Sequence, residues 1–435
     1  YSNLGAILKD LGNFKEAELY IRKAIELNPN SSDAYSNLGG ILKGLGNLKE
    51  AELYIRKAIQ LNPNYAFAHL YLGGILKDLG NFKEAELSIR KAIELDPNCA
   101  SAYFSLSTLK YANESNLWIN TLFSKNFLNN KNIQDQINIF FARANILHND
   151  KKYQESSKCL KLANKLKLNI KKSQSEQRIN KSKKLLIETN KRKINIKKSP
   201  NCPQSIFIVG MPRSGSTLIE SILSMNNEVY DLGEINILEE SFIDQKQTNQ
   251  KLTLTDIYLK KISKYTRKFN ITTNKCLINY QYAGIISKEI INAKIIHCFR
   301  NPLDNILSIF RAHFAPGNEY SSSLVDTAKV YIDQEAVMTE YKNRFRSKIY
   351  DLNYDSLVTN PNEEIKSLIS WLDWQWEDTY LSPHLNKRSV STASNIQVRS
   401  PINSKSIGGW KNYKEMLKPS MEIITKNDKY RDLQY

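Results

Sequence analysis

A 34-residue recurrence fixes the first part of this 435-residue chain. Pro29, Pro63 and Pro97 are 34 residues apart, and so are Gly5, Gly39 and Gly73. The same spacing relates Gly12, Gly46 and Gly80, then Ala17, Ala51 and Ala85, then Ala24, Ala58 and Ala92. A unit of this length holds two antiparallel helices and buries its apolar face only by stacking on its neighbours. The residue types agree with that geometry. Small residues such as Gly5 and Ala17 let two helices approach closely. Gly12 falls in the turn between helix A and helix B, and Pro29 starts the link to the next unit.

This pattern is that of tetratricopeptide repeats, with clear units over residues 1–98. A fourth unit starts near Cys99 with Tyr103 and Leu106, then loses the pattern after Leu109. A degenerate unit resumes over 140–166, where Tyr153 and Ala163 resemble helix B positions. Such arrays form a concave groove that binds peptide segments. The expected partner is therefore a peptide or protein; a structural spacer or a homodimer surface is the other use the pattern allows. The repeat domain is read as 1–168. Residues 169–202, rich in Lys, Ser and Asn, read as a helical, solvated connector that ends at Ser199-Pro200.

After Pro203 short β-rich runs alternate with helical periods, the texture of βαβ units on a mainly parallel sheet. The fold class is thus α plus α/β, with an α/β domain over 203–420 and a tail over 421–435. Strands are expected at 205–209, 271–277, 293–299 and 347–353. Ligands bind such sheets at the carboxyl ends of the strands. Those ends carry Arg213, Ser214, Gly215, Ser216 and Thr217 after the first strand, Lys275 in the second, Arg300 after the third and Tyr354 after the fourth. The stretch SIFIVGMPRSGSTLIESIL nearly matches the phosphate-loop pattern G-x-x-x-x-G-K-[ST], but Ser216 stands where the lysine belongs. Gly215 allows close approach of the backbone, and the N–H groups of residues 214–217 open a helix and face an anion. Arg213 adds a cation inside the loop. Without the loop lysine and an acidic partner for magnesium, triphosphate hydrolysis is disfavoured. A sulfate ester joined to a phosphate needs less neutralisation.

Composition narrows the classes. A formal net charge of +18 fits a lysine-rich surface or a field that steers an anionic ligand. No nucleic-acid module surrounds the Lys-rich run at 167–198, so nucleic acid is not expected. Five cysteines without a C-x-x-C pair and five scattered histidines suggest neither a disulfide framework nor a metal site. No run of 18 apolar residues marks a membrane span. A cytoplasmic location is expected, although the chain begins at Tyr1 within a repeat and a preceding signal or anchor stays open.

FIVGMPRSGSTLIESIL together with KIIHCFRNPLDNILSIF resembles the paired nucleotide motifs of sulfotransferases. NYDSLVTNPNEEIKSLISWL is similar to the family's Tyr-x-x-Leu-x-x-x-Pro element. SNIQVRSPINSKSIGGWKNY resembles the closing segment of bacterial repeat-containing sulfotransferases and of tyrosylprotein sulfotransferases. The resemblance implies 3′-phosphoadenosine 5′-phosphosulfate (PAPS) as co-substrate, without a metal. It places the 5′-phosphosulfate on residues 213–217, and the 3′-phosphate against Arg300 and Ser308 with Tyr354 nearby. Glu234, in YDLGEIN, matches the general base, and Lys275 the lysine beside the transferring sulfuryl group. Ser394 matches a serine that contacts the phosphosulfate, and Lys405 and Gly408 belong to a turn over the 3′-phosphate end. His297 lies inside a strand and is read as a packed residue. The implied acceptor is a protein tyrosine; a glycan or a small alcohol is the alternative, followed by an ATP-dependent phosphotransferase or a non-catalytic scaffold. Loops 235–270 and 311–325 face the acceptor on this reading.

Overall fold

The computed structural model describes residues 1–109, 117–194, 202–247, 252–266, 269–386, 388–390 and 392–434. The expected connector end at Ser199-Pro200 and the point after Leu109 where the repeat pattern is lost lie outside the described residues. The chain divides into two compact units, Tyr1–Leu166 with Lys387–Gln397, and Lys167–Asn386 with Val398–Tyr435.

The first unit is the repeat array. Helices α1 (Ser2–Asp10), α3 (Ser32–Gly44), α5 (Ala66–Leu79) and α7 (Ala100–Ser107) are the A helices. The B helices α2 (Phe14–Leu27), α4 (Leu48–Leu61) and α6 (Phe82–Leu95) alternate with them, followed by α8 (Leu117–Phe123), α9 (Ile133–Asn149) and α10 (Tyr153–Ile170). Each B helix is helical because its apolar residues recur on one face: Ala17, Ile21 and Ala24 in α2 are all buried. The A and B helices touch closely because the facing position is glycine. A Cβ on Gly39 would lie 2.4 Å from Ile55 Cγ1. Gly12, Gly46 and Gly80 all turn at positive φ between the helices. The irregular region still packs into the same core, since Tyr103, Trp118, Phe127 and Ile139 join it. In α10, Ala163 is buried as its helix B position requires. Residues 388–397 also belong here: Val390 N–H donates to Asp78 O (3.0 Å), and Asn395 Nδ2 donates to Asp78 Oδ1 (2.8 Å).

The second unit is built on five parallel strands, β1 (Gln204–Gly210), β2 (Val229–Asp231), β3 (Ile271–Asn274), β4 (Ala293–Phe299) and β5 (Ile349–Asn353), in the order β2-β3-β1-β4-β5. The short strand β2 was not expected from the sequence. Its helices are α11 (Ser175–Lys191), α12 (Ser216–Leu223), α13 (Ile237–Gln247), α14 (Leu254–Thr266), α15 (Ala283–Glu289), α16 (Pro302–Phe310), α17 (Leu324–Arg344), α18 (Tyr354–Thr359), α19 (Pro361–Trp371) and α20 (Lys414–Ile424). Two apolar layers cover the sheet. One gathers Phe207, Val209 and Ile295 with Tyr258 and Tyr341; the other gathers Ile206, Ile208 and Ile296 with Ile219, Leu357 and Leu368. Because β1 has β3 on one side and β4 on the other, the chain reverses direction across the sheet beside its carboxyl end. Crevices form at such points.

Two boundary readings change. The Lys-rich segment is helical over Ser175–Lys191, but that helix is not solvated throughout. In α11, Leu185 is in the core, and Ser182 and Thr189 are buried, with Ser182 Oγ donating to Asp333 Oδ2 at 2.7 Å. The C-terminal residues are also tied in. Tyr430 is buried, and its hydroxyl donates to Glu335 Oε2 at 2.8 Å.

Candidate active site

The loop after β1 is held from α16. Asn301 caps that helix, its Oδ1 accepting from Leu303 N–H (3.0 Å) and Asp304 N–H (3.2 Å), and Pro302 follows in the first turn. Asn305 and Ser308, one turn apart on the same face, both reach the loop. Asn305 Nδ2 donates to Pro212 O (2.9 Å), and Arg213 Nε donates to Ser308 Oγ (3.0 Å). Ser214 Oγ closes the turn onto Met211 O (2.7 Å). Gly215 has φ 94° and lies against Tyr354: a Cβ there would be 2.3 Å from the ring. Ser216 and Thr217 then start α12, both buried.

On the other side of β1, Asn274 at the end of β3 fastens the turn that carries Glu234. Its Nδ2 donates to Ile235 O (3.1 Å), while Lys275 N–H donates to Gly233 O (2.8 Å). The result is an ion pair: Lys275 Nζ lies 2.5 Å from Glu234 Oε1 and 3.9 Å from Glu220 Oε2. Lys275 is 1% exposed, whereas the Glu234 side chain is 57% exposed. A carboxylate anchored from below and open above is placed to meet an incoming group.

At the end of β4, Arg300 is buried. Its Nη2 donates to Ser406 O (2.8 Å), and its guanidinium carbon lies 4.7 Å from the centre of the Tyr354 ring. Its nearest carboxylate oxygens, on Asp355 and Asp304, are 3.9 and 4.0 Å away, and its Nε is buried without a hydrogen-bond partner. A buried guanidinium N–H left open in this way fits an anion. The Arg213 guanidinium agrees. Burial and the neighbouring cations Arg300 and Arg311 lower its pKa to about 10. Cations gathered this closely repel one another until an anion joins them.

The structure therefore brings Arg213, Ser214, Gly215, Ser216, Thr217, Arg300, Ser308 and Tyr354 together at the carboxyl ends of β1, β4 and β5. Lys275 and Glu234 pair at the end of β3. Gly408, at φ 71°, lies in the same unit beside Ser406, and Lys405 is exposed. Ser394 is not in this unit; it belongs to the repeat unit, where its N–H donates to Thr392 Oγ1 (3.2 Å). His297 is fully buried between Asp351 (2.7 Å) and Gln334 (2.5 Å), a packed residue. The sequence reading missed Glu220, Asp304, Arg311 and Ser406. Glu220 and Asp304 looked like ordinary helix carboxylates, and Ser406 contributes a backbone carbonyl to Arg300, which no side-chain pattern announces.

Among the described residues, no group of three or more His, Cys, Asp or Glu side chains could hold a metal, and no helix is long and apolar enough to cross a membrane.

Residues 203–378 match the Sulfotransferase family, and residues 1–31, 32–65 and 66–99 match tetratricopeptide repeats. An uncharacterised protein of Aquifex aeolicus (strain VF5) is 31% identical over 242 residues, 50% of this chain and 32% of that protein. The chain thus matches about a third of that relative's length. A Caenorhabditis briggsae protein described as "Putative protein-tyrosine sulfotransferase" is 24% identical over 245 residues, 48% of this chain and 81% of that protein. Among solved structures, a sulfotransferase domain from the curacin biosynthetic pathway aligns with a TM-score of 0.40 at 17% identity, over 52% of this chain and 98% of that one. Residues 203–378 are thus a sulfotransferase-family domain, and residues 1–99 are tetratricopeptide repeats.

Proposed function

We propose that the chain moves a sulfuryl group from PAPS to an acceptor hydroxyl, and that the acceptor is a tyrosine of a protein. The observation that carries this is the Lys275–Glu234 pair beside a cation-lined loop, with the buried Nε of Arg300 open to an anion. Residues 213–217 would hold the 5′-phosphosulfate. Arg300, through its open Nε, would hold the 3′-phosphate with Ser308 and Tyr354 beside it. PAPS supplies an activated sulfuryl group. Glu234 accepts the acceptor hydroxyl proton as the oxygen–sulfur bond forms, a contribution of about 10²–10⁴-fold. The sulfur–oxygen bond to the 5′-phosphate breaks in line, and Arg213, Lys275 and the loop amides stabilise charge on that phosphate oxygen. On this reading Lys275 relinquishes part of its hold on Glu234 as it turns to the sulfuryl oxygens. Lys405 and Gly408 complete the donor contacts.

The tyrosine acceptor is supported by the description of the Caenorhabditis briggsae relative and by repeats that bind protein segments. A cytoplasmic location suits the free thiols of Cys99, Cys159, Cys202, Cys276 and Cys298. Glu234→Gln tests the mechanism. Transfer of labelled sulfate from PAPS onto tyrosine peptides falls by at least about 10²-fold, while equilibrium binding of adenosine 3′,5′-bisphosphate is unchanged. Normal turnover in that variant removes Glu234 as the base. ATP binding tighter than PAPS binding by the wild-type chain would favour the phosphotransferase instead.

A further inference from the structure

A strap over residues 398–413 returns to the β4 end at two points of different chemistry. At the first, Ser406 offers neutral groups. Its carbonyl accepts from Arg300 Nη2 (2.8 Å), and its Oγ meets the Tyr354 hydroxyl (3.0 Å). At the second, Asp304 offers a charge. One carboxylate oxygen accepts from Gly408 N–H (2.7 Å) and the other from Trp410 N–H (2.9 Å). Asp304 is buried, and so is the Trp410 side chain that follows the turn. Hydrogen bonds to a buried carboxylate are about twice as strong as neutral ones, and leaving either N–H unpaired carries a desolvation cost. The bond from the Arg300 guanidinium to Ser406 O is charge-assisted too, but it is single and Ser406 is exposed, whereas two such bonds meet the buried Asp304, so the strap is held more firmly at 408–410 than at 406. Between them Gly408 sits in the left-handed region with open space where a Cβ would be. That is a pivot.

We propose that Asp304 is the positioning residue of a donor latch: it anchors Gly408 and Trp410 while Ser406 holds the place on Arg300 and Tyr354 that the donor's 3′-phosphate takes. A phosphate dianion displaces a neutral carbonyl from a guanidinium because opposite charges attract more strongly than a charge and a dipole, and the phosphate can accept two N–H bonds at once. The released residues 405–407 then swing about Gly408 and bring Lys405, exposed in the open state, toward the phosphate. Asp304 touches no substrate in this scheme; it acts through the strap. The inference rests on the reading of Arg300 as the 3′-phosphate site.

The test uses the full chain and two nucleotides, adenosine 3′,5′-bisphosphate and adenosine 5′-phosphosulfate, which has no 3′-phosphate. Asp304→Asn keeps the volume but faces one of the two N–H groups with a donor. It weakens the bisphosphate on the order of tenfold and leaves adenosine 5′-phosphosulfate nearly unchanged. Ser406→Ala removes the Tyr354 contact and shifts bisphosphate affinity the other way, toward tighter binding. Hydrogen exchange at Gly408 and Trp410 speeds up in Asp304→Asn before any nucleotide is added. Equal losses for both nucleotides, or unaltered exchange at Gly408 and Trp410, overturn the latch while leaving the donor assignment standing. A wild-type chain that binds the two nucleotides equally overturns the 3′-phosphate assignment, and the latch falls with it.

Discussion

The two units use the same materials to different ends. In the repeats, close approach and charge pairing are local and recur at each step. Gly39 meets Ile55 inside one unit, and Arg22 pairs with Glu50 (2.7 Å) as Arg56 pairs with Glu84 (2.5 Å) in the next. In the α/β unit the same devices are single and join distant segments. Gly215 meets Tyr354, Arg300 meets Ser406, and Lys275 sits between Glu220 and Glu234. Solvent differs too. The repeat pairs are substantially exposed, whereas Lys275 and Glu220 are 1% and 2% exposed. Exposed pairs contribute little, and buried ones are costly unless complete. A glycine or an ion pair in the first unit therefore shapes a stack, and in the second it shapes a site.

The largest expected effect separates the two roles of glycine. Gly215→Ala forces a Cβ to within 2.3 Å of the Tyr354 ring at a φ of 94°, where L-residues are strained. Displacing Tyr354 also disturbs Arg300, which stacks on it. Sulfuryl transfer falls by about 10²-fold, as a misplacement of roughly 1 Å produces. Circular dichroism stays native, because α12 and β1 remain packed. A near-normal rate would mean that the Tyr354 ring moves aside freely and is not part of the site.

How much of this the sequence disclosed follows the same divide. The repeat geometry was legible because each position is sampled several times, so Gly5, Ala17 and Pro29 explain one another. Four of the five strands were legible from their apolar runs; β2 was not, since three residues carry no period. Arg213, Lys275 and Arg300 were legible because a side chain at a strand end carries their chemistry. Asp304 was not. An acidic residue in the first turn of a helix is already explained by the helix dipole, so nothing marked it as a partner of backbone 104 residues away. The Lys-rich α11 misled in the opposite sense: its composition is that of a solvated face, yet Leu185, Ser182 and Thr189 form a buried stripe. The final residues read as a tail because they are polar, although Tyr430 and Lys429 both reach the buried Glu335.

A second substitution carries the same insult into the repeats. Gly39→Ala places a Cβ 2.4 Å from Ile55 Cγ1 and 3.1 Å from Ala51 O. Ile55 is fully buried and cannot retreat without pressing on its neighbours. Overpacking of this kind costs about 1–3 kcal/mol, and in a stack it is felt first by the unit that carries it. Hydrogen exchange therefore accelerates in α3 and α4, while bisphosphate affinity is unchanged. A matching loss of bisphosphate affinity would contradict the assignment of the donor site to the α/β unit alone.

The smallest effect concerns the charges that cross between repeats. Arg56 joins Glu52 of its own helix (2.8 Å) to Glu84 of the next (2.5 Å), as Arg22 joins Glu18 to Glu50. The ladder stops at Arg90, which pairs with Glu86; the position that should supply the next acid is Trp118. The array nevertheless continues through Tyr103, Trp118 and Phe127 as apolar packing. Apolar contact thus suffices to join one repeat to the next, and the charges are secondary. Arg56→Ala should then cost only about 0.2–1 kcal/mol, and the difference should vanish at about 1 M salt, where the Debye length is roughly 3 Å. Urea denaturation of both proteins at low and high salt decides it. A penalty above about 1 kcal/mol that persists in high salt would show that the repeats are coupled through these charges, and the exposed pairs would have to be weighed like the buried ones of the site.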